Sequence, residues 1–118
     1  VAVMFSKRVK MYNNIFKKNW GTAAFGVLLK EINDSEISGN TFEENTIGIN
    51  IEGSNRINYN NNSFINNGWA VKVRGACYEN KFIKNNFMYN SFDFSEKVSP
   101  VFTPDNLLDA NPLMKKIQ

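Results

Sequence analysis

Histidine is absent from the 118 residues, which removes the commonest transition-metal ligand and the usual acid/base near neutral pH. Ser-His-Asp and Cys-His catalysis and His-based zinc sites are therefore excluded within this chain. Any chemistry falls to carboxylates, Lys, Arg, Tyr, Cys or Met. The one cysteine, Cys77, permits no internal disulfide and leaves the redox compartment open. No apolar run is long enough to span a bilayer. The net charge of +3 is a mild, dispersed excess without a basic run, so no nucleic-acid partner is expected. Acidic residues form no cluster that would suit calcium.

What the chain has instead is a repeated phrase. Asn-x-Phe-x-x-Asn occurs at residues 14–19, 40–45, 62–67 and 80–85. Five residues before each Phe stands Met11, Ile37, Tyr59 or Cys77. After three of the phrases a small residue introduces an apolar-x-apolar stretch: Gly26-Val27-Leu28-Leu29-Lys30, Gly48-Ile49-Asn50-Ile51-Glu52 and Ala70-Val71-Lys72-Val73-Arg74. The step from Val27 to Ile49 to Val71 is 22 residues each time. Helical repeats need two amphipathic helices and a period above about 30 residues, whereas short alternating strands broken by Asn and Gly fit one turn of a β-helix. The expected fold is all-β. It is a right-handed parallel β-helix of about 22 residues per coil and four to five coils over residues 1–95, with residues 96–118 as a capping tail. The opening Val1-Ala2-Val3-Met4-Phe5 is already strand-like, with neither a signal peptide nor an initiator methionine, and reads as a mature portion or a fragment of a longer solenoid.

Because side chains alternate along a strand, Val27, Leu29, Ile49, Ile51, Val71 and Val73 are expected to point inward and stack. Phe16, Phe42, Phe64 and Phe82 form a second expected column, and Met11, Ile37, Tyr59 and Cys77 a third. The flanking Asn residues are expected at corners, in left-handed backbone, with amides bonded to the turn or to an identical Asn of the next coil. The Phe spacing is uneven. Phe16 to Phe42 spans 26 residues, with the excess around residues 21–24, and Phe64 to Phe82 spans 18, which predicts a cross-section that changes along the axis. An overlapping phrase at residues 85–90 and the strand-like Phe92-Asp93-Phe94 close the pattern. Thr103 and Pro104 read as the cap and first residue of a short helix over residues 103–110, covering strand edges that a solenoid end exposes.

Two outward columns follow: Leu28, Asn50 and Lys72, then Lys30, Glu52 and Arg74. With coils about 4.8 Å apart, Glu52 is expected between Lys30 and Arg74, and Asp93 beside Lys72. Such a ladder serves solubility and register. In β-helix sugar enzymes a face of this kind is a saccharide groove in which a base abstracts a proton and a cation stabilises a carboxylate. Trp20 and Trp69 follow corner asparagines and either pack on a neighbouring coil or offer a contact surface. Cys77 is the one thiol a soft-metal site would have to use, beside the thioethers of Met4, Met11, Met88 and Met114. Its place in an inward column makes it a buried core residue, so no metal site is expected.

The run Phe25-Gly26-Val27-Leu28-Leu29-Lys30-Glu31-Ile32, with Asn45-Thr46-Ile47-Gly48-Ile49, Glu52-Gly53-Ser54-Asn55-Arg56-Ile57, Asn66-Asn67-Gly68-Trp69-Ala70-Val71-Lys72-Val73 and Asn90-Ser91-Phe92-Asp93, resembles the later coils of the NosD family over about residues 1–95. NosD proteins are periplasmic maturation proteins of nitrous-oxide reductase. The resemblance implies an extracytoplasmic solenoid that works with an ABC transporter to assemble the copper-sulfide centre of the reductase, as a docking and transfer protein and not a catalyst. Copper belongs to the full-length family member in this reading, and no cofactor is expected in this segment. Partner contacts fall on Lys30, Glu31, Glu52, Arg56, Trp69, Lys72 and Arg74, with no catalytic residue. A polysaccharide-binding or polysaccharide-modifying β-helix is the second expectation.

Overall fold

Each Asn-x-Phe-x-x-Asn phrase encloses one short side of a coil, because two bends bracket a three-residue strand whose middle residue must face inward. The computed structural model describes residues 1–22, 24–75 and 77–94, and the helix expected over residues 103–110 lies outside them. The strands are β1 (Ala2–Lys7), β2 (Lys10–Tyr12), β3 (Ile15–Lys17), β4 (Phe25–Ser38), β5 (Thr41–Glu43), β6 (Ile47–Glu52), β7 (Asn55–Asn60), β8 (Ser63–Ile65), β9 (Trp69–Arg74), β10 (Lys81–Ile83), β11 (Asn86–Met88) and β12 (Phe92–Phe94). All pair in parallel, forming a β-solenoid of about four turns. One sheet runs β10-β7-β4-β6-β9-β12, with β1 and β2 also on β4, and the other β11-β8-β5-β3.

The 22-residue step is the register of the long sheet: Val27 pairs with Ile49 and Ile49 with Val71, and all three are fully buried. The longer first step is also where the sequence places it. Phe16 pairs with Phe42 at an offset of 26, but Phe25 pairs with Ile47 at 22, so the four extra residues lie between Trp20 and Phe25. A small residue opens each long strand because it faces a backbone of the next coil. A Cβ on Gly48 would come within 2.6 Å of the Ala70 carbonyl oxygen.

The fourth phrase is placed differently from expectation. The ring stacked below Phe64 belongs to Phe87, at 4.9 Å and 6°, and Phe82 instead stacks on Tyr59 at 4.3 Å and 5°. The columns are thus Phe16, Phe42, Phe64, Phe87 and Met11, Ile37, Tyr59, Phe82. Cys77 leaves the latter column for the corner beside Ser54, still fully buried. There is no short 18-residue coil: the step from Phe64 to Phe87 is 23, and the cross-section is kept. The fourth coil simply repeats the phrase on two of its sides, sharing Asn85.

Two asparagine ladders hold the bends. In one, Asn14, Asn40, Asn62 and Asn85 follow each other coil by coil; in the other, Asn19, Asn45, Asn67 and Asn90. From the second coil on, each Oδ1 accepts both the backbone N–H and the Nδ2 of the asparagine one coil earlier. From the second coil on, each Nδ2 also donates to a carbonyl behind it, as Asn62 does to Ile37 and Asn67 to Phe42. These asparagines are not the left-handed residues that sequence reasoning made them. The positive φ falls one residue earlier, on Asn13, Gly39, Asn61 and Lys84 and on Lys18, Glu44, Asn66 and Tyr89. Two further left-handed columns turn the other corners: Phe5, Glu31, Gly53, Gly75 and Arg8, Asp34, Arg56, Glu79. The turning residue points out and varies, and the asparagine after it points in and recurs.

Candidate functional site

The outer face of the long sheet carries the ladder the sequence predicts. Lys30 pairs with Glu52 and Glu52 with Arg74, and together with Glu31, Gly53 and Gly75 they line one shallow groove. Left-handed geometry at Glu31, Gly53 and Gly75 bends the chain away at the groove's end. Adjacent in register, these charges close into no ion pair among the described residues. Lys30 lies over the Phe5 ring at 5.9 Å. In the neighbouring outward column Leu28 and Asn50 are buried, each 8 % exposed, and the Asn50 Oδ1 has no hydrogen-bond partner among the described residues.

Trp69 and Trp20 have separate fates. Trp69 is partly buried and stacks on Phe92 at 4.3 Å, with Lys72 Nζ 5.5 Å above its ring. Trp20 stands exposed beside the four-residue insertion. Asp93 is not the neighbour of Lys72: Phe92 pairs with Trp69 and Phe94 with Val71, which sets Asp93 opposite Ala70, fully buried and within 3.3 Å of Asn90 Nδ2.

Of the expected contact residues, Lys30, Glu31, Glu52 and Arg74 share the groove, and Trp69 and Lys72 lie beside it on β9. Arg56 sits at the next corner instead. Its guanidinium donates to both oxygens of Asp34, at 2.6 and 3.3 Å, and holds that carboxyl below the usual carboxylate range. Asp34 was missed in the sequence, although it precedes Arg56 by one 22-residue period. The same left-handed corner reads Arg8, Asp34, Arg56, Glu79, with alternating sign. Because Asp34 has a lowered pKa in the folded chain, its contribution is present above the unfolded carboxylate range and is lost as pH falls through the lowered value.

The copper chemistry implied by the resemblance finds no fitting donor set among the described residues. Among the described residues no group of three or more His, Cys, Asp or Glu gathers. Met4 and Met11 lie on the first coil and Met88 on the last strand of the short sheet, apart from Cys77. Burial pushes the Cys77 thiol up, against the Ser54 and Gly53 backbone, and its Sγ donates to the Arg74 carbonyl at 3.6 Å. A protonated buried thiol is a poor metal ligand and a poor nucleophile. Thiol reagents at neutral pH are therefore expected to label Cys77 slowly in the folded chain and fast after denaturation. Because the folded pKa is raised, stability attached to this thiol is lost as pH rises beyond its ordinary 9.0. Fast labelling of the folded chain would show that the corner opens. The Tyr59 hydroxyl, also fully buried, has no hydrogen-bond partner among the described residues, and its pKa is driven up by burial first and then by Cys77.

A family model described as "Periplasmic copper-binding protein (NosD)" matches residues 1–106. Neither a curated protein nor a solved structure matches the chain. Among the described residues no helix is long and apolar enough to cross a membrane.

Proposed function

The chain belongs to the NosD family, and from that premise we propose that it is a non-catalytic accessory scaffold of the periplasm, assisting assembly of the copper-sulfide centre of nitrous-oxide reductase together with an ABC transporter. The observation that carries this reading is the family match over residues 1–106. The solenoid supports it in kind: its stacked coils are held by two asparagine ladders, and its outer groove offers Lys30, Glu31, Glu52 and Arg74 with no ion pair among the described residues. A rigid surface with unneutralised charge suits docking, because little entropy is lost on binding and charge steers the encounter. In this reading the segment grips protein, and the copper is handled by other parts of the assembly.

A second reading is favoured by one feature. The Trp69–Phe92 stack beside Lys72 and Arg74 is the combination of aromatic platform and cation that a charged sugar uses. Titration of the purified chain against apo nitrous-oxide reductase, with Cu(I) uptake measured in parallel, tests the proposal. The expected result is saturable reductase binding without copper uptake. Copper uptake abolished by Cys77→Ser would overturn the assignment of metal handling elsewhere. Failure to bind the reductase, with retention on an anionic glycan array that Trp69→Ala abolishes, would replace the scaffold with the saccharide reading.

A further inference from the structure

Glycine follows asparagine once in the chain, at Asn67-Gly68. The ladder asparagines are followed by Trp20, Thr46, Gly68 and Ser91 in one column and by Ile15, Thr41, Ser63 and Asn86 in the other. Asparagine is among the chemically labile residues. Its Cγ lies within reach of the next residue's backbone nitrogen, and a glycine there leaves that nitrogen unhindered and conformationally free. The fold itself imposes the glycine. A Cβ at residue 68 would come within 2.7 Å of the Thr46 carbonyl oxygen. The close backbone approach that stacks Gly68 on Thr46 therefore sets the least hindered neighbour beside a ladder asparagine.

In the closed coil both reacting groups are held. Asn67 is buried, 3 % exposed. Its Oδ1 accepts the Asn45 N–H at 2.9 Å and the Asn45 Nδ2 at 3.1 Å. Its Nδ2 donates to the Phe42 carbonyl at 2.8 Å and to Asn90 Oδ1 at 2.9 Å. The nucleophile is engaged too, because the Gly68 N–H donates to the Asn45 carbonyl at 2.9 Å. For the Gly68 nitrogen to attack Cγ it has to leave that carbonyl, and the amide has to turn out of its own hydrogen bonds.

We propose that Asn67 is a deamidation site masked by the ladder, so that the reaction marks chains whose coil has opened there. In the opened chain the Gly68 nitrogen bonds to Asn67 Cγ, the Cγ–Nδ2 bond breaks, and ammonia leaves with the proton of the Gly68 N–H. Water then opens the succinimide at either carbonyl, giving aspartate or isoaspartate without any electron transfer. Neither product fits the closed coil. An acid at residue 67 sets a carboxylate against the Phe42 carbonyl and Asn90 Oδ1, both acceptors, in a buried place. Isoaspartate in addition lengthens the main chain by one carbon at a bend. Opening followed by reaction is thus irreversible, and the dipeptide retires chains that have lost their coil register. The inference is independent of what the outer groove binds.

The test is peptide mapping by mass spectrometry of the whole chain, held for days at neutral pH either folded in buffer or unfolded in denaturant. In the unfolded chain Asn67 should convert ahead of every other asparagine. In the folded chain its conversion should be slower by at least about tenfold, because only the open population reacts. Phe64→Ala removes a ring stacked between Phe42 and Phe87 and leaves the dipeptide intact, so it should speed conversion in buffer and not in denaturant. If that variant does not fold, low urea takes its place, since it raises the open population of the unaltered chain. Converted chain, separated by its added negative charge and refolded, should melt below unconverted chain taken through the same cycle. Equal rates in the folded and unfolded chain, or a folded rate that neither Phe64→Ala nor low urea raises, would overturn the masking. Another asparagine reacting first in the unfolded chain would overturn the site, and equal melting of converted and unconverted chain would overturn the irreversible mark.

Discussion

Phe64→Ala is expected to lower stability by about 3 to 5 kcal/mol, with the loss read from chemical denaturation. The ring is fully buried, stacked on Phe42 at 4.8 Å and 7° and on Phe87 at 4.9 Å and 6°. The rings stacked on it belong to the neighbouring coils and cannot collapse into the gap without unstacking from their own partners. Asn50→Ala should cost little, since its Oδ1 has no partner to lose among the described residues. A double-mutant cycle adds a test of register: Phe64 should couple to Phe87 by about 0.5 kcal/mol or more, as residues in contact do. Equal losses for Phe64→Ala and Asn50→Ala would sink the inward assignment, and coupling to Phe82 without coupling to Phe87 would sink the register.

The long sheet was legible because Val27, Ile49 and Val71 obey one period and alternate within each strand. Two independent signals, offset and alternation, agree there. The fourth coil misled because its two phrases are the same words. The phrase Asn80-Lys81-Phe82 matches the pattern as well as Asn85-Asn86-Phe87 does, and local wording contains nothing that says which side of the coil a phrase occupies. The decisive criterion was the period: 23 residues from Phe64 reaches Phe87, and 18 does not. Corner geometry was half legible. That an Asn bonds its counterpart one coil on follows from its amide, which both donates and accepts. Which of two adjacent residues takes the positive φ does not follow, because the outward residue at the bend is Lys, Glu, Tyr, Asn or Gly and carries no common signature.

For the candidate site, the column Lys30, Glu52, Arg74 followed from the same period. Arg56 came only from the resemblance, as one contact residue among several, and a left-handed bend at Gly53 separates it from that column and turns it toward Asp34. Charge is banded by coil, with six Lys or Arg and no acid in residues 1–30 and six acids and no base in residues 31–52, and this escaped notice because it is a property of coils and not of residues. A net charge averages it away, and only after the coil boundaries are known does the sign of each band emerge.

Asn62→Asp tests the ladder, with an expected loss of about 3 to 5 kcal/mol at neutral pH, the cost of an uncompensated buried charge. The substitution changes one atom's chemistry and almost no volume. Asn62 is fully buried, and its Nδ2 donates to the Ile37 carbonyl at 2.9 Å and to Asn85 Oδ1 at 3.1 Å. An aspartate there turns both donations into contacts between acceptors. Its Oδ1 still receives the Asn40 N–H and Nδ2, so the damage is confined to the donating side. Burial and facing acceptors raise the pKa of the introduced carboxyl in the folded state. The folded chain then binds its proton more tightly than the unfolded chain does, so stability falls as pH rises through the unfolded carboxylate range and up to the raised value. Lowering the pH should recover much of the loss, since a neutral carboxyl restores one donation. Asn61→Asp, one residue earlier at the exposed left-handed position, should be nearly neutral at every pH. Denaturation curves of both variants at neutral and acid pH decide the matter: a loss for Asn62→Asp that does not depend on pH would mean that the amide fills space and does not carry the ladder.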